Sequence, residues 1–222
     1  MPNPPKEDYG YFLCPKMDGM MIFNDTDLDL LKEISNIGAG NAACALSKMI
    51  GVRVEISVPD CSLVGFSKIT DMLGGPETVL LGVLVRFAGD LEGFILMVQE
   101  PKDAANTLNV LMDTDFDEEA DIGLDALEPM KEVCNILAGS YLTAISGMTG
   151  LKITACVPEM TMDMAMAIMN VPALVYGETG EYVLVLDTRF GGRAAGAFGH
   201  FFLIPTVDSF RALKERLLSI GL

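Results

Sequence analysis

The 222-residue sequence predicts an α+β fold made of a tandem internal αβ repeat, with pseudo-two-fold symmetry and two exposed signature helices. Two observations predict it. A pattern is spelled twice, 99 positions apart: Asp29, Glu33, Asn36 and Pro59 lie in LDLLKEISNIGAGNAACALSKMIGVRVEISVP, and Glu128, Glu132, Asn135 and Pro158 in LEPMKEVCNILAGSYLTAISGMTGLKITACVP. Around each copy the periodicity then runs in the same order: long helix, strand, short helix, two strands, helix.

The elements follow in chain order. Residues 1–25 hold Pro2, Pro4, Pro5 and Pro15 with Gly10 and Gly19, and predict an irregular arm. Its Tyr9, Tyr11, Phe12, Met17, Met20 and Met21 are too apolar for a fully solvated tail, so they pack on the body or meet a partner. Thr26 or Asp27 is placed to cap the first signature helix. Residues at i, i+4 and i+7 fall within a sector of roughly 100° on a helix, so Asp29, Glu33 and Asn36 share one face, as do Glu128, Glu132 and Asn135. Gly40 and Ser47 continue that face in the first copy, Gly139 and Ser146 in the second, which leaves room for a partner surface. Leu30, Ile34, Ile37 and Ala45 form an expected apolar stripe, matched by Pro129 or Met130, Val133, Ile136 and Ala144.

After the first helix, VRVEISVP alternates as a strand, and Leu63–Leu73 reads as a short helix ending at Gly74 and Gly75. Two strands, Thr78–Phe87 and Glu92–Val98, join through AGD, and Pro101–Met112 is an amphipathic helix. DTDFDEEAD is an acidic linker; it lacks the central Gly and closing Glu in register that a calcium loop needs. The second half repeats the order, with a signature helix over Leu124–Thr149 and a strand over Lys152–Val157. Met162–Asn170 fits both periods, and alignment with the first half assigns it to a helix. Strands over Glu181–Phe190 and Ala197–Ile204 follow, then a closing helix, Val207–Ser219, patterned by Phe210, Leu213, Leu217 and Ile220. The expected organisation is therefore the arm, 1–25, and one domain, 26–222, with repeat one at 26–114, the linker at 113–121 and repeat two at 122–222.

Composition excludes several functions. A net charge of −16 and a pI near 4.3 leave no Lys and Arg stripe for nucleic acid. The segment Val79–Val98 is interrupted by Arg86, Asp90 and Glu92 and reads as two strands, not a membrane span. The start, MPNPPKEDYG, has no basic stretch followed by an apolar one, so the expected location is the cytoplasm. Five cysteines (Cys14, Cys44, Cys61, Cys134, Cys156) form no C-x-x-C pair and fit reduced thiols, with Cys44 and Cys134 expected as small core residues. His200 is the sole histidine and reads as a strand residue, so no Cys/His zinc site is expected. GAGNA and ILAGS lack the Lys-Ser/Thr ending of a phosphate-cradling loop.

A Glu-x-x-Asn pair on the wet side of one helix is ordinarily just a solvated face. Here the pair is duplicated together with Asn-Ile-x-Ala-Gly, Ala-x-Ser and Val-Pro, which favours a duplicated site. On these residues the sequence resembles the CheC, CheX and FliY group of chemotaxis phosphatases. That group's signature is Asp or Ser, three residues, Glu, two residues, Asn, twenty-two residues, Pro. Asp29, Glu33, Asn36 and Pro59 meet it at every position; Glu132, Asn135 and Pro158 meet it in the second copy, where Glu128 stands in place of Asp or Ser. Two intact copies resemble the CheC branch; CheX has one site, and FliY carries a further carboxy-terminal domain.

The resemblance implies a phosphatase for the aspartyl phosphate of the response regulator CheY. It assigns catalysis to Glu33, Asn36, Glu132 and Asn135, partner contact to Asp29, Glu128, Gly40 and Gly139, and a structural place in the motif to Pro59 and Pro158. An acyl phosphate is already activated, so positioning a water in line with phosphorus is most of the task. An Asn amide can orient that water without adding negative charge, and a Glu one turn away can pair with a lysine of the regulator. No cofactor is expected on this chain, magnesium being expected on CheY. Phosphorylated CheY is the expected partner and the deamidase CheD a further one, with no nucleic acid and no membrane insertion; a monomer suffices because one chain supplies two sites. The rival readings are a weakly catalytic or non-catalytic adaptor for CheY or CheD, and a motor-associated phosphatase like FliY.

Overall fold

The computed structural model describes residues 25–51, 53–112, 123–176, 182–192 and 198–220. Its elements are α1 (Asp25–Ile50), β1 (Val54–Gly65), α2 (Phe66–Met72), β2 (Val79–Gly89), β3 (Gly93–Gln99), α3 (Pro101–Met112), a 3-10 turn (Leu124–Leu127), α4 (Met130–Thr149), β4 (Ile153–Ala155), β5 (Glu159–Met164), α5 (Ala165–Tyr176), β6 (Tyr182–Gly192), β7 (Phe198–Pro205) and α6 (Val207–Ile220). The arm up to residue 24 and the acidic linker lie outside the described residues.

All strands join one antiparallel sheet in the order β1, β6, β7, β3, β2, β4, with β5 also paired to β2. That order is the repeat made visible. The strand after the first signature helix, β1, pairs with β6 of the second half, while β4 and β5, which follow the second signature helix, pair with β2 of the first half. β3 and β7 pair at the centre. Each half thus completes the other's edge. β3, GFILMVQ, is buried at all seven positions because helices cover both faces of the sheet.

One face carries α1, α3, α4 and α6, whose Leu31, Ile34, Leu46, Leu108, Leu137 and Leu213 meet Val83, Val85, Ile95 and Phe201 of the sheet. The other face carries α2 and α5, where Ile69, Leu73, Ile168 and Met169 meet Leu80, Leu96 and Phe202. Each fully buried Leu or Phe of this kind contributes about 1.5–3 kcal/mol. α1 and α4 also pack on each other. A Cβ on Gly38 would come 2.9 Å from the Tyr141 backbone, so only Gly lets the two helices approach this closely, and the Tyr141 ring then rests 4.7 Å from that of Phe201.

Several expectations are corrected. In α1 the buried stripe is Leu31, Ile34, Ala39, Ala42 and Leu46, while Ile37 and Ala45 are exposed: the observed stripe lies about one position from the expected one, which at 100° per residue is the neighbouring face. Cys44 is exposed on α1, not in the core, whereas Cys134 is buried and its thiol is pushed up by burial alone. The second signature helix does not start at Leu124. Pro129 has no N–H to give the Asp125 carbonyl, which accepts from Glu128 N–H at 3.3 Å instead, and a regular helix begins only at Met130. Asp27 is not an N-cap; it lies inside the first turn of α1, buried, with its carboxylate 3.6 Å from Lys214 Nζ of α6.

The strand segments after the two signature helices differ from the expectation, and the strand expected over Lys152–Val157 is only Ile153–Ala155. β1 runs on to Gly65 and α2 starts at Phe66; β5 takes Glu159–Met164 and α5 starts at Ala165, so the alternating methionines are strand residues up to Met164. Met160 and Met162 are half-buried and Thr161 and Asp163 exposed, the period of two that a one-sided edge strand shows. The positions of α3 and of the strand pairs β2–β3 and β6–β7 agree with the sequence reading to within two residues. His200 is a strand residue of β7, stacked on Phe202 with ring centroids 5.9 Å apart.

Candidate functional site

Both signature helices end in the same way. Gly51 and Gly150 each adopt φ 73°, the left-handed conformation that stops a helix cheaply only at Gly, and their N–H groups donate to Ser47 O (3.0 Å) and Ser146 O (2.8 Å). The Ser47 hydroxyl also accepts from Val54 N–H at 2.9 Å, fastening the end of α1 to the start of β1. Ser47 is therefore half-buried and serves the strand more than the open face.

On α1, Asp29, Glu33, Asn36 and Gly40 are all exposed; on α4, Glu132 is exposed and Asn135 and Gly139 are half-buried, while Glu128 is exposed at the junction before α4. Among the described residues neither Glu33 nor Glu132 is held by an ion pair or hydrogen bond. Each copy therefore presents a free carboxylate one turn from a carboxamide, with about 5–6 Å between their Cβ atoms by helical geometry. A Cβ at Gly40 or Gly139 would meet nothing within 4 Å. An exposed helical Gly costs about 1 kcal/mol against Ala and no packing inside the chain offsets that here, so the gap is open to whatever approaches the Glu and Asn.

The two copies differ around the asparagine. Asn36 Nδ2 donates to Lys32 O at 3.0 Å, and Asn36 Oδ1 accepts from Val58 N–H at 3.2 Å, the residue just before Pro59. Asn135 makes no hydrogen bond among the described residues. At the first signature position the order is reversed: Glu128 is bridged to Lys131 Nζ at 2.9 Å, whereas Asp29 has no partner among the described residues. Sequence reasoning placed the Glu and Asn pairs on the surface but missed Val58. The signal was present in the constant Asn-to-Pro spacing: in the first copy the residue before Pro lies on β1 beside the helix, and in the second it falls between β4 and β5. Among the described residues no group of three or more His, Cys, Asp or Glu could hold a metal ion.

The fold and this doubled arrangement define a class: an interlocked α+β protein that displays a Glu and Asn pair on each of two pseudo-symmetric helices. The CheC-like family model matches residues 27–63, which span the first signature, and the model of the chemotaxis phosphatase CheX matches residues 81–177, which include the second. The chain is 33% identical over 202 residues to the CheY-P phosphatase CheC of Bacillus subtilis, covering 87% of this chain and 96% of that protein. It is 27% identical over 149 residues to the flagellar motor switch phosphatase FliY of the same organism, covering 67% of this chain and 38% of FliY. The crystal structure of Thermotoga maritima FliY shares the fold, with a TM-score of 0.72 and 20% identity over 90% of this chain and 100% of that one. The chain belongs to the CheC family.

Proposed function

We propose that this protein hydrolyses the aspartyl phosphate of CheY, using both Glu and Asn pairs. The observation that carries the reading is the 33% identity to a CheY-P phosphatase along nearly its whole length, combined with two carboxylate and carboxamide pairs whose exposed carboxylates have no partner among the described residues. In each site the Glu pairs with a lysine beside the phosphorylated aspartate of CheY and so anchors the helix. The Asn, one turn on, accepts a hydrogen bond from a water and holds it in line with phosphorus. The water oxygen bonds to phosphorus, the bond from phosphorus to the aspartate oxygen breaks, and the products are inorganic phosphate and a free CheY aspartate. Magnesium on CheY would neutralise charge on the phosphoryl group, while Glu and Asn of the present chain supply position.

Asn36 retains one amide hydrogen and one oxygen lone pair beyond its two intramolecular bonds, enough to orient a water. Asp29, Glu128, Gly40 and Gly139 line the contact with CheY. No helix among the described residues is long and apolar enough to cross a membrane, and the proposed setting is the cytoplasm, where CheY would be met. CheD is proposed as a further partner at a lower rank, resting on the family alone.

The test is the lifetime of phosphorylated CheY with magnesium present. Wild-type protein is expected to shorten it, and a folded variant carrying Glu33→Ala, Asn36→Ala, Glu132→Ala and Asn135→Ala to leave it at the value for CheY alone. If wild type has no effect while still binding phosphorylated CheY, the adaptor reading replaces this one.

A further inference from the structure

The Asn-to-Pro spacing has a structural meaning that the reaction alone does not require. β1 pairs with β6 in one register from Val54↔Gly192 to Ser57↔Arg189 and in another from Asp60↔Asp187 onward, so Val58 and Pro59 together face the single residue Thr188. That is a β-bulge. Pro59 has no N–H to return to the ladder, and the Val58 N–H is aimed out of it at the Asn36 carboxamide, 3.2 Å away. With the Nδ2 end of the same amide tied to Lys32 O, both ends are held and the orientation of the group is fixed.

The second copy repeats the bulge without the bond. Ala155 pairs with Phe87 and Glu159 with Leu84, so three residues, Cys156, Val157 and Pro158, face two, while Cys156 N–H still reaches Arg86 O at 2.7 Å. Val157, the counterpart of Val58, is left outside the ladder. Val157 is 84% exposed where Val58 is 1% exposed. The strand is thus drawn against the helix in the first copy and stands off in the second.

We propose that the signature prolines are positioning residues: Pro59 maintains a bulge whose Val58 N–H seats the Asn36 carboxamide before any partner arrives, and Pro158 builds the same seat for Asn135, closed only when a partner docks. The catalytic consequence rests on the function proposed above; the seat itself does not. Side-chain amide NMR on the free protein reads it directly. The Asn36 amide is expected to have an order parameter near 0.8, and that of Asn135 to be below about 0.6. Pro59→Ala supplies the missing N–H and lets the register close, so Asn36 becomes as mobile as Asn135. In an Asn135→Ala background, which leaves the first site alone, Pro59→Ala then lowers kcat for CheY-P about ten-fold with KM held within about two-fold, because water is misplaced while docking is intact. A mobile Asn36 in wild type, or an Asn36 still rigid in Pro59→Ala, overturns the seat. So does an unchanged kcat in a variant whose Asn36 has become mobile. Should wild type prove inactive on CheY-P, the functional reading fails and the wild-type amide measurement alone decides the seat, which also covers a Pro59→Ala variant that does not fold.

Discussion

The first signature helix is one unbroken run of 26 residues, while its counterpart is a 3-10 turn, a proline and then 20 residues of α-helix. The difference is confined to the start. From Glu33 and Glu132 onward both copies keep regular helix, an open glycine two turns on and a glycine stop. Before that point they diverge: Leu30 is replaced by Pro129, Asp29 by Glu128 and Asp27 by Ala126. Helical geometry is thus kept across the Glu and Asn pairs and relaxed where the first acidic residue of the second copy sits. Glu128, already paired with Lys131, shows how that first position can change without moving the other two.

The two starts are also fastened differently, and breaking the fastening gives the largest expected effect. Asp27 and Lys214 form a buried pair between α1 and α6, with 5% and 9% of their side chains exposed. Lys214→Met alone removes the cation paired with a buried carboxylate and is expected to destabilise the protein in urea denaturation, by up to about 3–5 kcal/mol. The double variant Asp27→Leu with Lys214→Met is expected to recover most of that. The second copy, with Ala126, has no such dependence.

Glycines sharpen the comparison between inside and outside. Gly38→Ala drives a methyl onto the Tyr141 backbone at 2.9 Å and is expected to destabilise by about 1–3 kcal/mol. Gly40→Ala and Gly139→Ala meet open space on helices and are each expected to stabilise by about 0.5–1 kcal/mol while raising KM for phosphorylated CheY. A denaturation midpoint and a steady-state assay on the same three proteins separate the two kinds of glycine. Stabilisation with unchanged KM would remove Gly40 and Gly139 from the contact.

The smallest effect belongs to the bridge from Glu128 to Lys131. Both groups are partly in water, and Lys131→Ala is expected to shift stability by less than about 1 kcal/mol. Activity of the second site should stay within about two-fold of wild type. A ten-fold loss would show that Glu128 must be held, and that the first signature position has a part in the reaction.

How far the sequence was legible follows from where the information is local. Helix periodicity and duplication together located both Glu and Asn pairs, because a 100° turn per residue fixes which side chains share a face once the helix is known. Proline was harder to read. The expected helix over Leu124–Thr149 contains Pro129, although its missing N–H forbids the bond that a continuous helix needs there. Pro59 closes the expected first strand and Pro158 lies just past the expected second, whereas an edge strand tolerates proline at a bulge and strand pairing resumes beyond both. The methionines of β5 illustrate a further limit: Met162, Met166 and Met169 satisfy a helix as well as a strand, and only pairing with β2 decides. That pairing joins residues about eighty positions apart, the pairing of β1 with β6 joins residues more than a hundred apart, and no local pattern specifies either. The buried bridge from Asp27 to Lys214 was hidden for the same reason.

The central claim is that both copies work, each through its own carboxylate and carboxamide. The most direct measurement is the decay rate of phosphorylated CheY at fixed magnesium with three proteins: wild type, Glu33→Ala with Asn36→Ala, and Glu132→Ala with Asn135→Ala. Each paired variant is expected to retain the activity of the untouched site, and the two residual rates to add to that of wild type within error. A paired variant whose rate equals that of wild type would contradict the claim for the copy it removes, and two such variants would contradict it altogether.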